Sequence, residues 1–174
     1  PLLKYPLMKL YYFGIFARAE PARMALWKAG VDYEDVTVDK DAIQKLKDEG
    51  KLPFGQVPAL ELDDGTVLAQ SGAILNYIGN KHGLKPQDAM ANYHGEALSD
   101  LTWLDFGSKA FPAMMGAKDA EDPAKVMDAA LTEHLDPFLE KLGKNLPNSK
   151  LLGGDTVSIH DFNVGGFFTN MILN

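Results

Sequence analysis

The sequence contains no cysteine. That absence excludes disulfides, thiolate zinc sites and a protein thiol nucleophile, and it leaves the redox compartment open with the cytoplasm as the expected setting. Any sulfur chemistry would use sulfur from a ligand. No apolar run approaches the roughly 20 residues of a membrane-spanning helix, and the opening PLLKYPLMKL lacks the apolar length and flanks of a signal peptide. No stretch is rich in Lys and Arg, and 17 basic against 24 acidic residues leave a net charge of −7, so nucleic acid is not an expected partner. The histidines His82, His94, His134 and His160 are scattered without ligand spacing, no carboxylate cluster completes a metal site, and surface or capping roles are expected for them. A dinucleotide fingerprint, a phosphate loop and a Ser-His-Asp order are all missing.

What is present suffices for a real core: 174 residues, 46% of them hydrophobic, fit one large domain or two small ones. The spacing predicts a strand over 8–13 (MKLYYF), a helix over 17–30 that stops at Gly30, and a strand over 32–38. A short polar helix follows over 39–50. Then QVPALEL and TVLAQ form a hairpin around Asp64-Gly65, and SGAILNYIGNKHG reads as a helix with Ser71 as its N-cap. The order βαβ, α, ββα implies an α/β domain with a mixed four-stranded sheet and helices packed on it. Residues 83–89 (GLKPQDA) read as a linker, and everything after them as helical. Two apolar stripes, Ala97, Leu98, Leu101, Leu104 and Leu131, Leu135, Phe138, Leu139, Leu142, are expected to form the core of this all-α part. Pro137 is expected to kink or interrupt its helix, and Ser158 with Asp161 forms a carboxylate variant of the capping box.

Four segments, KLYYFGIFARAEPAR, LPFGQVPALEL, QSGAILNYI and VSIHDF, occur in one order. In them the chain resembles the cytosolic glutathione transferases, most of all the sigma-like classes, with alpha- and mu-like character in AILNYI. The resemblance covers nearly the whole chain. It implies a thioredoxin-like glutathione-binding domain over 1–82, a linker over 83–89 and a helical-bundle domain over 90–174. It also implies glutathione as co-substrate, a hydrophobic electrophile as second substrate, conjugation or glutathione-dependent isomerisation as the reaction, and a homodimer or larger assembly as the state.

The chemistry then turns on the thiol of glutathione. With a pKa of about 8.5, only a few per cent is thiolate at neutral pH. Lowering that pKa by about 2 units takes roughly 2.7 kcal/mol of thiolate stabilisation, close to the roughly 1.5–3 kcal/mol of one hydrogen bond to a charged group. Nucleophilicity falls with pKa, so the net gain is a few-fold, and most acceleration must come from positioning the electrophile. The resemblance assigns the hydrogen bond to Tyr12, whose plain reading beside Tyr11 is one of two strand aromatics on opposite faces. It assigns Arg18, six residues on, a supporting role. Val57-Pro58 is implied to be a cis pair whose valine backbone holds the cysteinyl part of glutathione as an added strand. Gln70 and Ser71 are implied to hold the γ-glutamyl end at a helix N-terminus, a role compatible with capping. Lys47, with Lys45 as the alternative, and Gln56 are implied for the glycyl carboxylate. Asp105, or Asp100, would complete the γ-glutamyl site from a partner subunit. Phe54 is either a dimer contact or local core, and Phe106, Phe111 and Met115 are candidates for the electrophile pocket.

Relatives of this kind continue through further helices beyond the position of Asn174. The chain is therefore expected to be C-terminally short for its kind. Two functions stay open: a transferase, and a structural or interaction subunit of the same fold with weak or no turnover.

Overall fold

The structure is a computed structural model that describes residues 8–118 and 120–171. The opening segment 1–7 and the chain end, both considered above, lie outside the described residues. Two units are distinguished, Pro1–Lys85 with Gly165–Asn174, and Pro86–Val164.

In the first unit, strand β1 (Met8–Tyr12) pairs in parallel with β2 (Tyr33–Thr37) and antiparallel with β3 (Ala59–Glu61), which pairs antiparallel with β4 (Val67–Ala69). The sheet order is β2-β1-β3-β4. It is the mixed four-stranded sheet expected from the sequence, and β1 is interior to it. Alternation along β1 sends Met8, Leu10 and Tyr12 to one face and Tyr11 to the other, and all four are buried. On the Tyr11 face, helix α2 (Lys40–Asp48) contributes Ile43 to a cluster with Val38, Leu52 and Ala59. Helices α1 (Glu20–Lys28) and α3 (Ser71–Lys81) pack on each other, and α3 also packs on β3 and β4. Leu26, Leu60, Ile74 and Ile78 are fully buried here. The β3–β4 turn has Gly65 at φ 84°, where a side chain would be strained, and Asp64 accepts from the Thr66 N–H at 2.9 Å.

The predicted helix 17–30 is split. Ala17–Ala19 is a 3-10 turn and α1 begins at Glu20, because Pro21 suits the first turn of a helix and Ala17, at φ 32°, cannot belong to one. Helix α2 is capped by Asp39, which accepts from the Ala42 N–H at 2.8 Å, and ends with Lys45 and Lys47 in its last turn.

In the second unit, α4 (Ala89–Asp100) runs through a π-helical stretch, Leu101–Phe106, into α5 (Gly107–Lys118). Next come α6 (Pro123–Asn145) and α7 (Ile159–Met171), whose residues from Gly165 group with the first unit. The π stretch widens the turn and slips the buried stripe. Leu98 is buried as expected, but the burial then passes to Thr102, Trp103 and Phe106, while Leu104 is 61% exposed. The α6 stripe is also only partly core: Phe138 and Leu142 are buried, whereas Leu131 and Leu139 are exposed. Pro137 does not interrupt α6, which continues to Asn145. One missing N–H is tolerated in a helix of this length whose next residue, Phe138, is locked by stacking on Phe106 at 4.4 Å.

Ser158 caps α7 as predicted. Asp161 accepts from the Ser158 N–H at 2.8 Å and hydroxyl at 2.9 Å, and reaches back to the Leu152 N–H at 2.7 Å. The neighbouring His160 is neither a surface nor a capping side chain. It is buried, with Nε2 3.1 Å from Asn92 Oδ1, and it fits because residue 95 is glycine: a Cβ there would lie 2.3 Å from the His160 ring.

Asp161 thus satisfies two backbone donors and a hydroxyl. Replacing it (Asp161→Ala) is expected to cost about 2 kcal/mol, within the range for losing a cap plus leaving a donor unpaired. The urea midpoint of the helical transition should fall by the corresponding amount with no change in slope.

Candidate functional site

In the antiparallel register Leu10 faces Leu60 and Tyr11 faces Ala59, so the next pair brings Tyr12 opposite Pro58. The end of β1 and the turn before β3 are thereby held together. A cavity of about 570 Å³ opens here, lined by Phe13, Arg18, Ile43, Lys47, Gly55, Gln56, Val57, Pro58, Gln70 and Ser71. Arg18, Lys47, Gln56, Val57, Pro58, Gln70 and Ser71, dispersed over four parts of the sequence, meet in this one place. Two of the lining residues are cationic and none is acidic. In a chain of net charge −7, that is a local reversal of sign suited to an anionic ligand.

Main-chain groups make up much of the wall. The Val57–Pro58 peptide bond is cis. The Val57 N–H and C=O make no hydrogen bond among the described residues. At the start of α3, the first helical bond runs from the Ile74 N–H to the Gln70 carbonyl at 2.9 Å. The N–H groups of Ser71, Gly72 and Ala73 have no protein acceptor among the described residues. Ser71 is not the N-cap expected from the sequence. It is the first residue of α3, and the cap position belongs to Gln70, which makes no side-chain capping bond. Gln70 has φ 71° and ψ 115°, a conformation a non-glycine residue rarely adopts. The helix end therefore keeps its donors and the positive end of its dipole directed at the cavity.

Tyr12 does not line the cavity. It is 5% exposed, and its hydroxyl accepts a hydrogen bond of 3.3 Å from the Arg18 backbone N–H. Arg18 is thus coupled to Tyr12 through its main chain. Burial raises the Tyr12 pKa, opposed by the Arg18 N–H bond and by the charges of Arg18 and Arg23. The phenol stays protonated at neutral pH and, having accepted one bond, still has its proton to donate. Tyr11, on the other face, donates to Glu61 Oε2 at 2.5 Å, and its pKa is pushed well up, first by burial and then by that carboxylate.

Of the lysine pair, Lys47 reaches the cavity, while Lys45 is exposed beside Glu49 at 3.9 Å. Asp105 lies in the second unit, where with Leu101, Phe106, Lys109, Glu133, His134, Pro137, Phe138 and Lys141 it lines a small cavity of about 70 Å³. Phe54 is 65% exposed, which removes its reading as local core. Met115 is equally exposed, and Phe111 stacks against Trp103 with ring centroids 6.4 Å apart.

Sequence reasoning missed Arg23. Its Nε and Nη2 donate to the two Asp35 oxygens at 2.7 and 3.4 Å, and Nη1 lies 3.1 Å from Glu20 Oε2, 3.1 Å from the Ile15 carbonyl and 3.3 Å from the Phe16 carbonyl. Its guanidinium also sits 5.9 Å from the centroid of the Tyr12 ring. The signal was present in ARAEPAR as a second arginine one helical turn beyond Glu20, but two of its acceptors are carbonyls that no spacing reveals.

The tyrosine shifts have a definite sign. A phenol whose folded pKa lies above the ordinary 10.0 binds its proton more tightly when folded. Its contribution to stability is complete below pH 10.0 and is lost as the pH rises through the folded value. Urea titrations above pH 10.0 should show falling stability, and Tyr11→Phe and Tyr12→Phe should each make the fall shallower.

A family model described as glutathione S-transferase, N-terminal domain, matches residues 8–80. Over 149 residues the chain is 36% identical to a glutathione S-transferase of Gallus gallus, covering 83% of this chain and 65% of that protein. It is 35% identical over 146 residues to glutathione S-transferase 1 of Ascaris suum, covering 83% of this chain and 69% of that protein. A solved structure of prostaglandin synthase D of Nilaparvata lugens is similar with a TM-score of 0.79 and 27% identity, over 97% of this chain and 83% of that one. The chain spans about two thirds or slightly less of the length of the curated relatives it matches.

Proposed function

The chain belongs to the glutathione S-transferase family, and from that premise we propose that it binds glutathione in the cavity between Arg18 and Ser71 and activates its thiol for attack on a hydrophobic electrophile. The observation that carries the reading is the composition of the cavity wall: two cations, no carboxylate, and unpaired main-chain donors at Val57 and the start of α3. Glutathione is an extended tripeptide with a carboxylate at each end. Its cysteinyl part pairs with the free Val57 N–H and C=O as an added strand. Its γ-glutamyl carboxylate takes the N–H groups at the start of α3 with Gln70 and Ser71. Lys47 and Gln56 take the glycyl carboxylate. The cavity offers no carboxylate for the γ-glutamyl ammonium. That group is assigned to Asp105 of the partner subunit in a homodimer, in which exposed Phe54 is a contact.

Tyr12 is the thiolate's hydrogen-bond donor. A protonated phenol next to the site stabilises a sulfur anion without removing its proton, and the bond received from the Arg18 N–H strengthens its own donation. Arg18 supports Tyr12 and adds positive charge. The proposed reactions are conjugation and glutathione-dependent isomerisation, the latter in keeping with the likeness to a prostaglandin synthase D. We assign the chain to the sigma-like classes, with a cytoplasmic role in detoxification.

Calorimetry with glutathione, followed by an aryl-halide conjugation assay on the same sample, tests this. Binding with turnover is expected. Tyr12→Phe should leave glutathione affinity within about twofold, raise the thiol pKa of bound glutathione by about 2 units and lower kcat by a few-fold, as loss of one hydrogen bond to a charged group implies once the compensating rise in nucleophilicity is counted. Full activity in Tyr12→Phe would remove that residue's role, and binding without turnover would assign the chain to structure.

A further inference from the structure

Arg23 lines none of the cavity, yet it bonds the loop just before Arg18 to strand β2. The chain leaves β1 at Tyr12, and within six residues must turn and present the Arg18 N–H to the Tyr12 hydroxyl. The turn is strained: Ala17 has φ 32°, a conformation unfavourable for a non-glycine residue that persists only where surrounding contacts impose it. Main-chain bonds from the Ile15 N–H to the Phe13 carbonyl and from the Glu20 N–H to the Phe16 carbonyl lie within the turn, and the side-chain contacts that tie it to the sheet come from Arg23. One nitrogen, Nη1, reaches the carbonyls of Ile15 and Phe16, the two residues just before Ala17, together with Glu20 Oε2. The other side of the fork is anchored to Asp35 on β2, the strand paired with β1. The side chain is 16% exposed, so these bonds are partly shielded from water.

We propose that Arg23 is the positioning residue of this site: its guanidinium clamps the Ile15 and Phe16 carbonyls to β2 and so holds the Arg18 N–H against the Tyr12 hydroxyl. The proposal rests on the reading of Tyr12 given above. An ordinary surface ion pair with Asp35 would serve no such end and would contribute little. What distinguishes this arginine is that one planar group spans a carboxylate on a strand and two carbonyls on a loop. A lysine ammonium, a single nitrogen, cannot bridge both sets at once. Charge alone is therefore insufficient, and Arg23→Lys should behave like Arg23→Gln.

The test uses the full chain with Arg23→Lys, Arg23→Gln and the milder Asp35→Asn. Three readouts are taken: the isotope-labelled Tyr12 resonance in a pH titration, the thiol pKa of bound glutathione from its ultraviolet thiolate absorbance, and kcat with KM for glutathione. Both Arg23 variants are expected to shift the Tyr12 resonance, raise the thiol pKa by about one unit and lower kcat by no more than a few-fold, because thiolate nucleophilicity rises with the thiol pKa. KM for glutathione should stay within about twofold, because Arg23 lines none of the cavity. A merely structural arginine would lower the melting temperature and leave these values where they are in the folded protein. Should the Arg23 variants fail to fold, Asp35→Asn removes one acceptor at a half-exposed position and should move the same readouts in the same direction by less. A Tyr12 resonance and thiol pKa that stay at wild-type values in every folded variant, or an Arg23→Lys that keeps them while Arg23→Gln does not, overturns the proposal. If the Tyr12 resonance shifts but the thiol pKa moves neither in the Arg23 variants nor in Tyr12→Phe, the positioning stands and the reading of Tyr12 falls.

Discussion

Everything at the site is referred to β1. The strand is interior to the sheet, parallel to one neighbour and antiparallel to the other, and buried on both faces. A one-residue slip would send Tyr11 to the α1 side and Tyr12 to the α2 side, so register is strongly specified. With β1 fixed, the bond from the Val38 N–H to the Tyr12 carbonyl at 2.8 Å sets where β2 ends and α2 begins. The antiparallel pairing sets Pro58 opposite Tyr12. Lys47, Val57 and Tyr12 are thus brought together by ladder geometry.

Polarity is divided along the same line. The face of the sheet opposite α2 carries Leu10 and Leu60, fully buried, and needs nothing from the ligand. The rim carries the unpaired donors, the two cations and the strained backbone at Ala17 and Gln70. Among the described residues the two non-glycine positive-φ positions, Ala17 and Gln70, both lie where function is proposed, the distribution expected when a well-packed scaffold holds a few residues off their preferred conformations.

The order of elements in the first unit was legible because it depends on short-range signals, alternation in MKLYY and the Asp64-Gly65 turn, and in the second unit the Ser158–Asp161 pair was legible for the same reason. The residues of the cavity were legible only through resemblance, since Val57 and Gln70 act through backbone that side-chain chemistry does not announce. Other features escaped for identifiable reasons. Periodicity assumes 3.6 residues per turn, and the π stretch breaks that at Leu101, which is why Leu104 was misplaced and Trp103 overlooked. Serine's preference for capping pointed to Ser71, but nothing local could say that Gln70 would take the cap position at positive φ. His160 was misread because its room is made by Gly95, 65 positions away in sequence. Arg23 resembled any arginine on an exposed helix, because its partners are distributed over a loop, its own helix and a strand.

The wall of the cavity has one more consequence, for how such a protein tolerates change. Val57, Ser71, Gly72 and Ala73 offer amide groups that are the same whatever side chain follows them. Substitutions at these positions erase little of the recognition so long as the backbone path is kept. Alanine scanning would therefore under-report the surface that matters, and sequence drift can proceed there with the binding geometry intact. The positions at which the surface is vulnerable are those that hold the path itself, many of which never touch what is bound.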